Sequence, residues 1–121
     1  MTEKSENHEQ RNFIRVPDSS GISYEVAFTG KTSKSQAKEI SQSGIRFISE
    51  EKLPIGTVID VSLTLEQLEF SFTAHATVRW TKEIVKNRRY EVGVKFEGLP
   101  EVTTKKLISY IQAVKRLDSY A

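Results

Sequence analysis

From residue 20 onward the chain repeats one signal: apolar side chains at every second position, in short runs parted by turn residues. A period of two means extended backbone with one buried face, because successive side chains of a strand point to opposite sides of its sheet. Ile22, Tyr24, Val26 and Phe28 form the first inward set, and Thr29-Gly30 reads as the turn after it. Lys31 to Ser41 is polar and weakly patterned, which reads as an edge strand. Ile45 and Phe47 share the next face, followed by a loop holding Glu50, Glu51, Pro54 and Gly56. Ile59, Val61, Leu63 and Leu65 alternate with Asp60, Ser62 and Thr64. After a break at Glu66-Gln67, Phe70, Phe72, Ala74, Ala76, Val78 and Trp80 line one side of a long strand. Lys86-Asn87-Arg88 reads as a hairpin loop, and Tyr90, Val92, Val94 and Phe96 as the returning strand's inward set.

Six short strands with hairpin-scale connections and no helix between them predict an all-β fold. The expectation is a six-stranded antiparallel β-barrel over about residues 18–98, since closure removes edges that a sheet this apolar could ill tolerate. The period then changes. Pro100 suits a first helical turn, and Leu107, Ile108, Ile111, Val114 and Leu117 make a stripe at helical spacing. A C-terminal helix over about residues 100–117 is expected to lie across the barrel and cover an open end or seam.

Composition narrows the chemistry. With 121 residues the chain is expected to hold one domain over 11–121, preceded by a polar tail, residues 1–10, too poor in apolar side chains to order. It has no cysteine, and its two histidines, His8 and His75, lack metal-ligand spacing, so no metal is expected. No apolar run approaches the roughly 18 residues of a membrane span, and the start lacks a secretory signal, so a cytoplasmic protein without membrane insertion is expected. Glu3, Glu6 and Glu9 sit in the tail, leaving 17 basic and 13 acidic side chains in residues 11–121. That mild excess suits a small anionic ligand but not duplex nucleic acid. The aromatics fall on the inward parity, so neither DNA nor RNA is an expected partner. No nucleophile–base pair or carboxylate pair has a catalytic setting, so no enzyme, catalytic residue or cofactor is predicted.

Two stretches remain. In Gln10-Arg11-Asn12-Phe13-Ile14-Arg15-Val16-Pro17, Arg11 and Arg15 share a parity and would project to one side about 13 Å apart. A guanidinium stacks on a purine face and donates paired hydrogen bonds to a phosphate or to guanine's O6/N7 edge. Alone, such a pair reads as two solvated arginines. In Glu39-Ile40-Ser41-Gln42-Ser43-Gly44, Glu39 and Ser41 alternate onto one face, and Gly44 permits a positive φ or a close backbone approach. Alone, this reads as a strand closed by ordinary turn residues.

In order, and followed by alternating strands ending Thr77-Val78-Arg79-Trp80 and Tyr90-Glu91-Val92-Gly93-Val94-Lys95-Phe96, the two stretches resemble the signature of the PilZ domain family, Arg-x-x-x-Arg then Asp/Asn-x-Ser-x-x-Gly. Glu39 stands where that pattern has Asp or Asn. The resemblance implies a six-stranded barrel with a C-terminal helix and a non-enzymatic receptor for the bacterial second messenger cyclic di-GMP. It implies that Arg11 and Arg15 clasp the ligand, that Glu39 reads guanine, that Ser41 and Gly44 shape the floor, and that Trp80 lies near the ligand. Parity alone puts Trp80 in the core. The implied mechanism folds the Arg11–Arg15 segment over the ligand and alters a surface read by an effector protein of the motility, pilus or signalling machinery. The alternative is a PilZ-like adaptor acting by protein–protein interaction, with weak or no cyclic di-GMP binding.

Overall fold

In the computed structural model, residues 14–18, 20–65 and 68–120 are described, with the side chains of 117–120 excepted. The strands are β1 (Val16–Pro17), β2 (Gly21–Val26), β3 (Thr32–Ser41), β4 (Gly44–Ser49), β5 (Val58–Leu65), β6 (Phe70–Val85) and β7 (Arg89–Glu97), followed by helix α1 (Glu101–Tyr120). All pairings are antiparallel, in the order β3-β2-β5-β6-β7-β4, and β4 pairs back with β3. The ring is therefore the closed six-stranded antiparallel barrel that the alternation predicts. The short β1 continues the line of β2 along the same side of β3, pairing Val16 with Ile40 and Pro17 with Glu39.

The inward parity fills the barrel. Phe47, Ile59, Val61, Leu63, Leu65, Val78 and Val92 are fully buried. Tyr24 tilts against Phe47 at 5.0 Å between ring centroids, and its hydroxyl meets Ser49 Oγ at 3.0 Å, so its one polar atom is satisfied. From α1, Leu107, Tyr110 and Ile111 enter the core, and Val114 packs against it half-buried. The helix rests on β1 and β3. At its other side Lys106 Nζ lies 4.7 Å from the Phe70 ring centroid, and Tyr110 donates its hydroxyl proton to Asp18 Oδ1 just after β1. Of the predicted stripe, Ile108 is half-buried, and the side chain of Leu117 lies outside the described residues.

Three expectations need correction. Phe28 is 98% exposed, because β2 ends at Val26 and the chain turns at residues 27–30, with Gly30 in the left-handed region at φ 73°. Alternation ran past the strand's end into its turn. The stretch 31–41 is no edge strand: β3 pairs with β2 through its first half and with β1 and β4 through its second. Its pattern looked weak because the register shifts between Ala37 and Glu39, so Ala37 and Ile40 both point inward across an odd spacing. Trp80 is not in the core. A second shift lies between Val78 and Trp80, and the indole turns out to 40% exposure. The Glu66-Gln67 break lies outside the described residues, as does the tail of residues 1–10.

Candidate functional site

The two register shifts act on one face. In a regular strand Glu39 and Trp80 would each be set by the parity of its neighbours; a bulge adds a residue and turns the succeeding side chains to the other side. Across the ladder, Pro17 pairs with Glu39, Glu39 with Arg46, Arg46 with Gly93, and Gly93 with Trp80. Directly paired residues share a face, so these five form one row on the outer wall, five strands wide. At ~4.8 Å per strand, Glu39 to Trp80 spans about 14 Å.

Two glycines make that face possible by steric exclusion. A Cβ on Gly93 would lie 2.1 Å from Trp80 Nε1, so the bare backbone is the seat of the indole. A Cβ on Gly44 would lie 1.9 Å from the Val94 carbonyl oxygen, so β4 approaches β7 closely at its first residue. Of the two roles open to Gly44, the close approach is the one used; it does not have a positive φ. Thr81, the residue after Trp80, has a buried hydroxyl oxygen with no hydrogen-bond partner, a local cost of the shifted register.

The polar groups are pre-arranged. Arg46 lies between two carboxylates, with Nη1 at 2.9 Å from Glu91 Oε2 and Nη2 at 3.8 Å from Glu39 Oε2. All three side chains are about one-third exposed or less. Glu91 is the closer partner and anchors the guanidinium, while Glu39 keeps an oxygen free to accept from a ligand. Ser41 is 5% exposed, and its Oγ accepts from the Ser43 backbone N–H at 3.2 Å. It also meets the Ser43 hydroxyl at 3.1 Å and donates to the Gly44 carbonyl at 3.4 Å. Ser41 thus holds the two-residue turn between β3 and β4; the hydroxyl nearer the surface belongs to Ser43. Arg15 is exposed one residue before β1, with no ion pair among the described residues, and Pro17 of the same parity faces the row. Arg11 lies outside the described residues.

The structure therefore brings Glu39 and Trp80 onto one surface, with Ser41 and Gly44 as the turn that fixes its edge. Arg46 and Gly93 complete it, and sequence reasoning missed both. A signal existed: Arg46 stands between the inward Ile45 and Phe47, which commits it to the outer face two residues from Gly44. The result is an open platform, with an indole at one end, a carboxylate at the other and a tethered guanidinium between. It can stack a planar ring and accept hydrogen bonds from its edge. Among the described residues no group of acidic, histidine or cysteine side chains could hold a metal ion, and no helix is long and apolar enough to cross a membrane.

A family model described as "PilZ domain" matches residues 9–113. No curated protein matches the chain. Among solved structures, the PilZ domain of YcgR from Escherichia coli with c-di-GMP is similar at TM-score 0.71 and 13% identity, covering 90% of this chain and 94% of that one. The inhibitor of motility MotI/DgrA of Bacillus subtilis matches at TM-score 0.74 and 14% identity, covering 89% and 52%. The MrkH–c-di-GMP complex of K. pneumonia matches at TM-score 0.72 and 14% identity, covering 91% and 54%. The chain thus spans about half the length of MotI and MrkH, and almost all of the YcgR domain.

Proposed function

The chain belongs to the PilZ domain family, and from that premise we propose that it is a non-enzymatic cyclic di-GMP receptor whose site is the outer row from Pro17 to Trp80. One observation carries the reading: two bulges and two closely packed glycines converge Glu39, Arg46 and Trp80 on the face beside Arg15. The YcgR domain and MrkH, both solved with c-di-GMP, share the fold. On this reading Trp80 supplies a stacking surface and Glu39 accepts from a guanine's N1–H and N2–H. Arg11 and Arg15 close over the phosphates and the second base from the N-terminal side. Ordering that lead-in pulls on β1, and the Asp18–Tyr110 hydrogen bond carries the change into α1, the surface offered to an effector.

Calorimetric titration with cyclic di-GMP tests this. Micromolar or tighter binding is expected, abolished by Arg11→Ala or Arg15→Ala. Absence of heat at high ligand concentration with folded protein sinks it. A second reading, an adaptor acting through protein contacts alone, draws on the Arg46–Glu39 pair, since a ligand reaching Glu39 must compete with a side chain already there. Its mark is a melting temperature unmoved by cyclic di-GMP.

A further inference from the structure

A cleft of about 760 Å³ opens beside the first half of β3, and none of the described signature residues lines it. Its origin is the bulge between Ala37 and Glu39. β3 and β4 pair from Ser41↔Gly44 as far as Ala37↔Phe47 and then diverge. Beyond that point Ser35 Oγ donates to the Ile48 carbonyl at 2.6 Å, a side chain standing where a backbone ladder stops. Among the described residues, 32–36 consequently have a strand neighbour on the β2 side only.

Two bonds fix which backbone groups face the cleft. Lys31 O accepts from Val26 N–H at 2.9 Å, and Ala37 N–H donates to Ser20 O at 2.9 Å. Hydrogen-bonding direction alternates along an antiparallel strand, so Ser33 and Ser35 turn their backbone groups to β2 as Lys31 and Ala37 do. Thr32, Lys34 and Gln36 turn theirs into the cleft. The result is an open strand edge about 17 Å long. Charge gathers around it. Lys31, Lys34, Lys38 and Arg89 line the cleft against Glu50 and Glu51. Lys31 is taken by Glu51 at 3.0 Å, whereas Lys34, Lys38 and Arg89 have no ion-pair partner among the described residues.

An unpaired edge is a template for another strand, and native proteins commonly cover or charge it. Here four cations face two carboxylates, three of the cations are without an ion pair among the described residues, and the edge lies in a cleft. From this pairing of a free backbone ladder with unpaired cations, we infer that the cleft receives an extended acidic segment of a partner protein, added as a further strand on β3. Carboxylates at alternate positions of that segment fall on the outer side with Lys34 and Lys38. The inference stands apart from cyclic di-GMP binding, which uses the neighbouring row.

The test titrates an eight-residue peptide of alternating glutamate and threonine into the full chain, monitored by backbone amide shifts and hydrogen exchange. Saturable binding with slowed exchange at the amides of Thr32, Lys34 and Gln36 is expected. The double variant Lys34→Glu, Lys38→Glu should weaken it by about tenfold or more. Gln36→Pro removes one cleft-facing donor without changing charge or touching a bond to β2, and should weaken it by a similar factor. No shift at these amides at about 1 mM peptide overturns the proposal. So does undiminished binding by the same peptide N-methylated at alternate residues, or equal binding by an oligothymidylate of equal charge. Either would show an anion patch without strand addition.

Discussion

The barrel has a regular wall and a bulged one, and their outer faces carry different side chains. On the regular wall, β5 pairs with β6 residue for residue from Val58↔Thr77 to Leu65↔Phe70, and with β2 without a break. Its outer face carries small matched polar pairs: Ser62 with Thr73 at 2.9 Å, Thr64 with Ser71 at 3.0 Å, and Asp60 with His75. On the other wall, β3 and β6 each slip register, and the outer face carries Glu39, Arg46, Glu91 and Trp80. Unbroken pairing lets both faces follow the pleat, so the inner face packs and the outer face is merely solvated. A slipped register re-aims a large side chain at the cost of a ladder bond. On the proposed reading, the binding surface of this barrel lies on its irregular strands.

The contrast can be broken by mutation. Leu63, fully buried on the regular wall, should cost about 4 kcal/mol as Leu63→Ala, by its lost burial and the cavity left. Measured by urea denaturation, this loss should leave ligand affinity unchanged while the protein remains folded. Gly44→Ala should cost about 3 kcal/mol, because its Cβ meets a backbone carbonyl that cannot swing aside. Unlike the first variant it should also abolish cyclic di-GMP binding, as read by calorimetry.

Smaller effects sharpen the comparison. Glutamate reaches about an ångström farther than the Asp or Asn of the family pattern, beyond the tolerance of a well-held site. Glu39→Asp is therefore expected to raise cyclic di-GMP affinity about tenfold in calorimetry. Gly93→Ala meets the Trp80 indole first, a half-exposed side chain that can move, so its expected cost is about 1 kcal/mol. Trp80 is the single tryptophan of the chain, so its emission reports both this displacement and any stacking by ligand. Asp60→Asn on the regular wall should change stability by no more than about 0.5 kcal/mol and leave binding untouched. A binding defect there would dissolve the distinction between the two walls.

Much of the molecule is legible in its residues. Ile22, Tyr24 and Val26 of β2, the inward sets of β5 and β7, and Leu107, Ile111 and Val114 of α1 read correctly, since one buried face leaves a local imprint at period two or 3.6. Gly44 is marked as special by its residue type, but only the β4–β7 contact distinguishes close approach from a positive φ. Phe28 misleads because nothing local marks the end of β2 before its turn. Arg46 shows its parity but not its partners, which come from β3 and β7.

Alternation along the strands implies a closed barrel, the change of period a C-terminal helix, and the two signature stretches a likeness to PilZ domains. Tertiary structure decided that Trp80 faces out, that Glu39 lies beside Arg46, and that half of β3 keeps an open edge. The physical reason is that side-chain alternation is written along one strand, whereas a bulge exists only between two. Which residue is left over depends on the hydrogen bonds of the neighbour, and no single strand carries that information.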